Sequence, residues 1–135
     1  MLEWYKEYGI NGYVYRADIH KYYYNIDHEI AKEIIHKHFP KDTHWLIDIF
    51  IDSTENPGIA LGNQINTIIS NLYLNELDVF ITKELGYEHY GRYADDFWLI
   101  DSDKEHLKEN VIKIENFFKW KIEITTKSKK PNNTI

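Results

Sequence analysis

An acidic dipeptide between two strand-forming runs places the strongest constraint on how this chain can fold. The runs cover residues 87–93 and 97–100, and Ala94, Asp95 and Asp96 lie between them. Aspartate suits turns because its carboxylate accepts hydrogen bonds from nearby backbone amides. Two β-prone segments so close in sequence predict an antiparallel hairpin whose turn is acidic.

The segments around this hairpin complete the pattern of an α+β domain. Residues 13–19 form a first β-prone run, and residues 120–124 alternate apolar with polar side chains, as a last strand does. Ser102 and Glu105 form a capping box for a helix between the hairpin and that strand. The order strand, helices, hairpin, helix, strand predicts a ferredoxin-like fold, the split βαβ arrangement, with an antiparallel sheet packed on helices.

Three helices are predicted between the first strand and the hairpin. Asp27 can cap one that runs to about His38. A continuous helix over residues 65–85 keeps the 3.6-residue apolar period and ends at Gly86. A short helix after Asp42 lies between these two, and its predicted inward side chains are Trp45, Leu46, Ile49 and Phe50.

The composition indicates one folded domain. The chain has 135 residues, of which 43% are hydrophobic and 16% aromatic, and this excludes a disordered protein. It has no cysteine, which excludes a disulfide framework and a thiolate metal site. Neither a membrane-spanning run nor a signal-peptide pattern is present, so we expect a cytoplasmic protein without a membrane partner.

The net charge of −6 is unusual for a protein that binds nucleic acid, because such proteins commonly carry a basic face. We expect metal ions to neutralise several of the acids, and basic parts of a larger enzyme to lie outside this chain. Five lysines gather near the C-terminus: Lys119, Lys121, Lys127, Lys129 and Lys130.

Three carboxylates are expected to meet at one edge of the sheet. In a ferredoxin-like fold the first strand lies beside the hairpin, so Asp18 at its end approaches Asp95 and Asp96. Converging carboxylates repel one another unless cations lie between them, and Mg²⁺ prefers oxygen ligands. Two such ions ~3.5–4 Å apart suit phosphoryl transfer. Aspartate is also common in turns and at strand ends, so the pattern by itself leaves a purely structural interpretation open.

Three sequence blocks resemble the motifs of reverse transcriptases, in the same order and spacing. Residues 18–28 are similar to the Asp-Ile-x-x-Phe-Phe-x-x-Ile-Asp-His motif of the bacterial enzymes. Residues 58–64 and 70–78 resemble the next block and its helix, and residues 92–97 look like the Tyr-x-Asp-Asp box. The resemblance covers roughly residues 12–130 and implies the palm of an RNA-directed DNA polymerase, a nucleotidyltransferase of retroelements.

This resemblance implies roles for the acidic residues. Asp18 and Asp95 would be the principal ligands of two Mg²⁺ ions, for which Mn²⁺ can substitute. Asp96 would be a supporting carboxylate near the primer end. The backbone carbonyl of Ile19 would complete the shell of the metal that holds the triphosphate.

The resemblance also implies substrates and the residues that contact them. The substrates would be an RNA template, a DNA primer and deoxynucleoside triphosphates. Tyr23 matches the aromatic steric gate that selects deoxynucleotides, although a core aromatic remains an alternative. Gly62 and Asn63 would lie beneath the incoming nucleotide and the templating base, although Gly62 can also be a plain helix-start glycine. Tyr93, with Ala94, favours DNA synthesis over that of viral RNA polymerases, which carry Gly-Asp-Asp.

The subfamily is narrowed but not decided by the residues around Gly62. Leu61-Gly62, in place of the usual Gln-Gly, followed by Asn63-Gln64, looks like the enzymes of diversity-generating retroelements. The match ends at residues 65–67, where those enzymes tend to have Thr-Ser-Gln. Group II intron, retron and phage-defence types therefore stay open.

Two classes of function remain. In the first, residues 1–135 form a single palm domain that is inactive alone, because the fingers and thumb of the parent enzyme are absent. In the second, the chain is a non-catalytic remnant or an interaction module that binds nucleic acid or a protein. The presence of Asp18, Asp95 and Asp96 together favours the first class.

Overall fold

A four-stranded antiparallel sheet organises the chain. The structure is a computed structural model that describes residues 12–121 and 126–128, with side chains up to residue 119. The sheet order is β2-β3-β1-β4, so β3 lies between β1 and β2, and β1 lies between β3 and β4. This is the split βαβ arrangement, and the predicted ferredoxin-like α+β fold is confirmed. The strands are β1 (Tyr13–Ile19), β2 (Tyr90–Tyr93), β3 (Asp96–Asp101) and β4 (Thr126–Ser128).

The helices lie between β1 and β2 and between β3 and β4. Asp27 caps the first as predicted, since its Oδ1 accepts a hydrogen bond from the Ile30 amide at 3.0 Å. None of the described helices is long and apolar enough to cross a membrane. The helices are α1 (His28–His36), α2 (His44–Ile51), α3 (Gln64–Tyr73), α4 (Asn75–Val79) and α5 (Lys104–Lys121), with 3₁₀ turns at Tyr22–Asn25 and Lys41–Thr43 and a π turn at Phe80–Glu84.

The prediction of one continuous helix over residues 65–85 is wrong. The helix breaks at Leu74, and α4 passes into the π turn before the segment ends at Gly86, which has a φ of 75°. Leu77 of α4 and Ile81 of the π turn are both fully buried. A change in helical pitch keeps both side chains in the core, and apolar spacing alone does not reveal it.

The predicted inward face of α2 is wrong for three of its four residues, since of these four only Phe50 packs against the core. Ile47 and Ile51 are the buried residues, whereas Trp45 is 64% exposed and Leu46 and Ile49 are exposed as well. Six of its eight residues are apolar or aromatic, so most sides of the helix are hydrophobic. Hydrophobic period therefore cannot determine which side meets the core.

Two predictions about the C-terminal half need correction. The cap of α5 is Asp103 rather than Ser102, since Asp103 Oδ1 accepts from the amides of Glu105 and His106 at 2.9 and 3.2 Å. The predicted last strand over residues 120–124 is wrong at residues 120 and 121, which belong to α5, and the described strand that follows is β4. Residues 122–125 lie outside the described part of the chain.

The core lies between one face of the sheet and the helices. Tyr15, Ala17 and Ile19 alternate along β1 and are almost completely buried. The intervening residues, among them Arg16 and Asp18, lie on the opposite face, because successive side chains of a strand point to opposite sides. The core side is completed by Phe97 and Leu99 of β3 and by Leu107, Ile114 and Phe118 of α5.

A hydrogen-bonded group ties the far end of β3 to α5. Asp101 Oδ2 accepts from the Tyr87 hydroxyl at 2.8 Å and lies 2.6 Å from His106 Nδ1. Asn110 donates to the Tyr87 hydroxyl at 3.0 Å. Burial tends to raise the pKa of Asp101, but the hydrogen bonds from the Asp103 amide, His106 and Tyr87 outweigh it and hold the pKa below its ordinary value.

This group predicts a loss of stability in acid. A lowered pKa in the folded state stabilises the chain above the ordinary aspartate pKa of about 3.9, and this contribution is lost as the pH falls through the lowered value. Asp101→Asn should cost ~1–3 kcal/mol at neutral pH, because an amide leaves donors unpaired. Urea unfolding from about pH 5 to pH 2 should then show a shallower decline for Asp101→Asn than for wild type. An Asp42→Asn control, changed at an exposed carboxylate, should decline as wild type does. Parallel curves for all three would contradict this role.

Candidate functional site

The three predicted acidic residues lie at one end of the sheet. Asp18 of β1 pairs directly with Asp96 of β3, and the same register pairs Asp96 with Tyr93 of β2. Directly opposed residues of an antiparallel pair have Cβ atoms about 4.5–5.5 Å apart, so Asp18 and Asp96 are neighbours on the open face. The Ile19 amide donates to the Asp95 carbonyl at 3.2 Å, which ties the hairpin turn to the end of β1.

The predicted acidic turn is a two-residue connection. β2 ends at Tyr93 and β3 begins at Asp96, so Ala94 and Asp95 form the loop. Ala94 has a φ of 54°, in the left-handed region that tight hairpin turns require. Asp95 is half-buried, and Tyr93 is 80% exposed beside it. The turn therefore presents one carboxylate and one aromatic ring at the same edge.

Arg16 is a cation of this site that the motifs did not reveal. Its Nε donates to Asp96 Oδ1 at 3.1 Å, and its Nη2 contacts Asp96 Oδ2. Arg16 precedes Asp18 by two residues, and this spacing along a strand was the available signal, because residues two apart share a face. The guanidinium compensates the charge of Asp96.

The donor chemistry of this edge suits a hard cation. Carboxylates and backbone carbonyls are the ligands that Mg²⁺ prefers, and Asp18, Asp95 and the Ile19 carbonyl would supply them if an ion bound here. Within residues 12–119, no three histidine, aspartate or glutamate side chains form a group that could hold a metal ion by themselves. Two aspartates and one backbone carbonyl would leave the remaining positions around a Mg²⁺ ion to other oxygen atoms, such as those of water or phosphate.

The three consecutive tyrosines lie in a 3₁₀ turn rather than at the end of a strand. Tyr22 is buried, and its hydroxyl donates to the Ser70 carbonyl at 2.5 Å. Burial raises the pKa of the Tyr22 hydroxyl well above its ordinary value, so the ring stays neutral. Tyr23 is half-buried with its hydroxyl 3.1 Å from Ser70 Oγ, whereas Tyr24 is 63% exposed. Tyr22 is thus the core aromatic, and Tyr23 lies between core and surface.

Gly62 and Asn63 form the start of α3. Gly62 has a φ of 83°, and a Cβ there would meet no atom of residues 12–119 within 4 Å. Backbone conformation rather than crowding by these residues accounts for the glycine, and the space beside it is open with respect to them. Asn63 caps α3, because its Oδ1 accepts from the Ile65 and Asn66 amides at 2.8 and 3.3 Å. The sequence carried this signal, since asparagine is among the preferred N-cap residues.

The segment before Gly62 is bound to the tyrosine turn. The Ile59 amide donates to the Tyr23 carbonyl at 2.9 Å, and the Gly58 carbonyl lies 2.6 Å from His28 Nε2. Gly58 has a φ of 124°, and a Cβ there would lie 3.3 Å from the Tyr24 carbonyl oxygen. His28, the last residue of the first motif, and Gly58 therefore have positioning roles that sequence reasoning did not assign.

Comparison with known proteins agrees with this geometry. The family described as reverse transcriptase (RNA-dependent DNA polymerase) matches residues 5–134. Among solved structures, the chain is similar to apo telomerase from Candida tropicalis truncated from its C-terminal domain, with a TM-score of 0.66 and 16% identity. The likeness covers 91% of this chain and 32% of that one, and at this identity it shows the fold alone. No curated protein matches the chain.

Proposed function

Because the chain belongs to the reverse transcriptase (RNA-dependent DNA polymerase) family, we propose that it is the catalytic palm segment of such an enzyme. The observation that carries the proposal is the register that sets Asp18 opposite Asp96, while the Ile19 amide holds the Asp95 carbonyl at 3.2 Å. Residues 1–135 form the palm in this proposal, and fingers and thumb complete the enzyme. The reaction is template-directed transfer of a deoxynucleotide to a primer 3′-hydroxyl.

The acidic edge is proposed to hold two Mg²⁺ ions, or Mn²⁺ in their place. Asp18 and Asp95 act as the principal ligands, and the Ile19 carbonyl completes one shell. Bound there, the ions supply charge stabilisation for the attacking and leaving oxygens of an in-line displacement. Asp96, paired with Arg16, acts as a supporting carboxylate that shapes the field at the primer end.

The proposed substrates are an RNA template, a DNA primer and deoxynucleoside triphosphates. Tyr23 is proposed as the steric gate, and its half-buried ring is anchored at Ser70. Gly62 and Asn63 are proposed to lie beneath the nucleotide and the templating base, which the open space above Gly62 permits. Tyr93, 80% exposed, is proposed to contact the primer terminus. Fingers and thumb would supply the excess of basic over acidic residues that a chain of net charge −6 does not have.

For the subfamily, we propose a bacterial, cytoplasmic retroelement enzyme similar to those of diversity-generating retroelements. The support is the run Leu61-Gly62-Asn63-Gln64. The departure over residues 65–67 keeps group II intron, retron and phage-defence enzymes as alternatives.

A second candidate function is a non-catalytic module that binds nucleic acid or a protein partner. The ion pair between Arg16 and Asp96 favours it, because this pair neutralises one carboxylate without a metal ion. Metal binding by Asp18 and Asp95 is expected of the catalytic palm segment and not of the non-catalytic module, so it distinguishes the two candidate functions.

Titration with Mn²⁺ tests the metal site directly. Saturation at millimolar concentration should raise the melting temperature by a few degrees, since ~1 kcal/mol of binding energy shifts a domain of this size by about 4 °C. Asp95→Asn should abolish the rise, because it removes a principal ligand. Asp42→Asn, which changes an exposed carboxylate outside the site, should keep it. Absence of a rise in wild type, or an equal rise in Asp95→Asn, would favour the non-catalytic module.

Primer extension tests the reaction. The 135-residue chain alone should not extend a DNA primer on an RNA template, whereas a chain joined to fingers and thumb should extend it with deoxynucleotides. In that longer enzyme Asp18→Ala or Asp95→Ala should remove synthesis, because charge that develops in the transition state would lose its stabilisation. Asp42→Ala should leave it unchanged. Robust extension by the 135 residues alone would contradict the proposed division of labour.

Sugar selection tests the role of Tyr23 in the same longer enzyme. Tyr23→Val should admit ribonucleotides, with a relative gain of roughly ten- to a few hundred-fold, because the ring no longer excludes a 2′-hydroxyl. Deoxynucleotide incorporation should fall much less. Tyr23→Phe keeps the ring while it loses the contact with Ser70, so its selectivity should stay close to that of wild type.

Tyr24→Ala is the matched control, because Tyr24 is exposed and adjacent. Tyr22→Phe removes only the buried hydroxyl that donates to Ser70, and it should not alter sugar choice. A selectivity change in Tyr24→Ala but not in Tyr23→Val would show that the gate is another residue of the turn.

A further inference from the structure

Resting on the proposed function, we propose that Arg92 is a positioning residue that holds the Ala94–Asp95 turn in the shape that the carboxylate site needs. Asp78 of α4 in turn holds Arg92. The site would then depend on strand pairing and also on the contacts that run from Asp78 through Arg92 to the Ala94 carbonyl, called the clamp below.

The Arg92 guanidinium makes five hydrogen bonds, which equals the number of its N–H donors. Nε and Nη2 donate to Asp78 Oδ1 and Oδ2 at 2.8 and 2.7 Å, which forms a two-pronged ion pair. Nη1 donates to Asn71 Oδ1 at 3.2 Å, and Nη2 also donates to the Asn71 carbonyl at 3.4 Å. The fifth bond runs from Nη1 to the Ala94 carbonyl at 3.0 Å. One side chain thus joins α3, α4 and the turn.

The bond to the Ala94 carbonyl is the one that reaches the site. Ala94 has a φ of 54°, a conformation that is unfavourable for a residue with a Cβ and persists where its surroundings enforce it. The Ala94 carbonyl belongs to the same peptide group as the Asp95 amide, so the bond orients the backbone that carries Asp95. The next carbonyl, that of Asp95, accepts from the Ile19 amide at 3.2 Å. Two consecutive carbonyls of the turn are therefore fixed, that of Ala94 by the Arg92 side chain of β2 and that of Asp95 by the Ile19 amide of β1.

The two charged side chains of the clamp are largely shielded from solvent. The Arg92 side chain is 12% exposed and that of Asp78 is 28% exposed. The Tyr90 hydroxyl donates to Asp78 Oδ1 at 2.6 Å, so the carboxylate is fixed by a second donor. A charge pair in such surroundings is screened less by salt than a surface pair and has a defined geometry.

The variant Arg92→Lys distinguishes two roles of Arg92: positioning of the turn, and an ion pair that only connects the sheet to α4. Lysine keeps a positive charge for Asp78, but its single ammonium group lacks the planar fork and cannot satisfy Asp78, Asn71 and Ala94 together. If the ion pair alone matters, the variant resembles wild type in the turn. If the fork positions the turn, the turn loosens although the carboxylates are all present.

Amide hydrogen exchange of the 135-residue chain, resolved by residue, provides the first readout. In Arg92→Lys the Ile19 amide should exchange roughly tenfold faster relative to the Leu99 amide in the middle of the sheet. The reason is that local opening of the turn no longer has to break the hydrogen bonds of the Arg92 guanidinium. Lys32→Met, which removes the 2.8 Å ion pair with Asp52 away from the turn, is the matched control and should leave this ratio unchanged. An unchanged ratio in Arg92→Lys, or an equal rise in Lys32→Met, overturns the proposal.

Mn²⁺ affinity provides the second readout. Arg92→Lys should bind Mn²⁺ roughly tenfold more weakly than wild type, as expected for loss of a group that orients metal ligands. Affinity equal to that of wild type overturns the proposal. If wild type binds no Mn²⁺, the proposed function fails, and amide exchange alone decides whether the clamp holds the turn.

Asn71→Ala keeps the test decisive if Arg92→Lys does not fold. Asn71 is exposed, and its side chain supplies one acceptor that orients Nη1. The variant keeps the ion pair with Asp78 and should raise the Ile19 exchange ratio a few-fold. No rise would overturn the proposal.

Discussion

The antiparallel pairing of β1 with β3 is the interaction on which the rest of the structure depends. Tyr15, Ala17 and Ile19 point to the helices and are almost completely buried, so Asp18 must point to the open face opposite Asp96. A slip by one residue would expose the three core residues and bury Asp18. Each large apolar side chain that is buried stabilises the fold by ~1.5–3 kcal/mol, and an unpaired buried carboxylate costs more. Core packing therefore determines where the carboxylates lie.

The helix α3 links the parts of the site that β1 and β3 do not carry. The Ser70 carbonyl accepts from the Tyr22 hydroxyl and the Ser70 hydroxyl contacts that of Tyr23, while Asn63 caps the start of the helix beside Gly62. The far end of the same helix contacts Arg92 through Asn71. The tyrosine turn (Tyr22–Asn25), Gly62 and the acidic hairpin thus have one common support, and a rigid support of this kind suits the substrate placement proposed above.

The two arginines of the site differ in how firmly they are held. Arg16 is 59% exposed where it pairs with Asp96, and exposed pairs contribute about 0–1 kcal/mol and weaken in salt. Arg92 is largely buried, and all of its donors are used. The hairpin is consequently stiff on the helix side and adaptable on the open side. This difference agrees with the supporting role proposed for Asp96.

The sequence by itself determined the fold class, the acidic hairpin, the cap at Asp27 and the family, because these depend on local patterns and on motifs in a set order. It did not determine which side of α2 is buried, where the helix after Gln64 breaks, or that α5 continues to Lys121. Apolar spacing is ambiguous when a short helix is apolar on most sides, and a change of helical pitch leaves the spacing nearly intact. The contacts of Arg92 with Asp78 and of Arg16 with Asp96 join residues 14 and 80 positions apart. Only the tertiary structure decided them, because side chains so distant in sequence meet through strand register and helix packing.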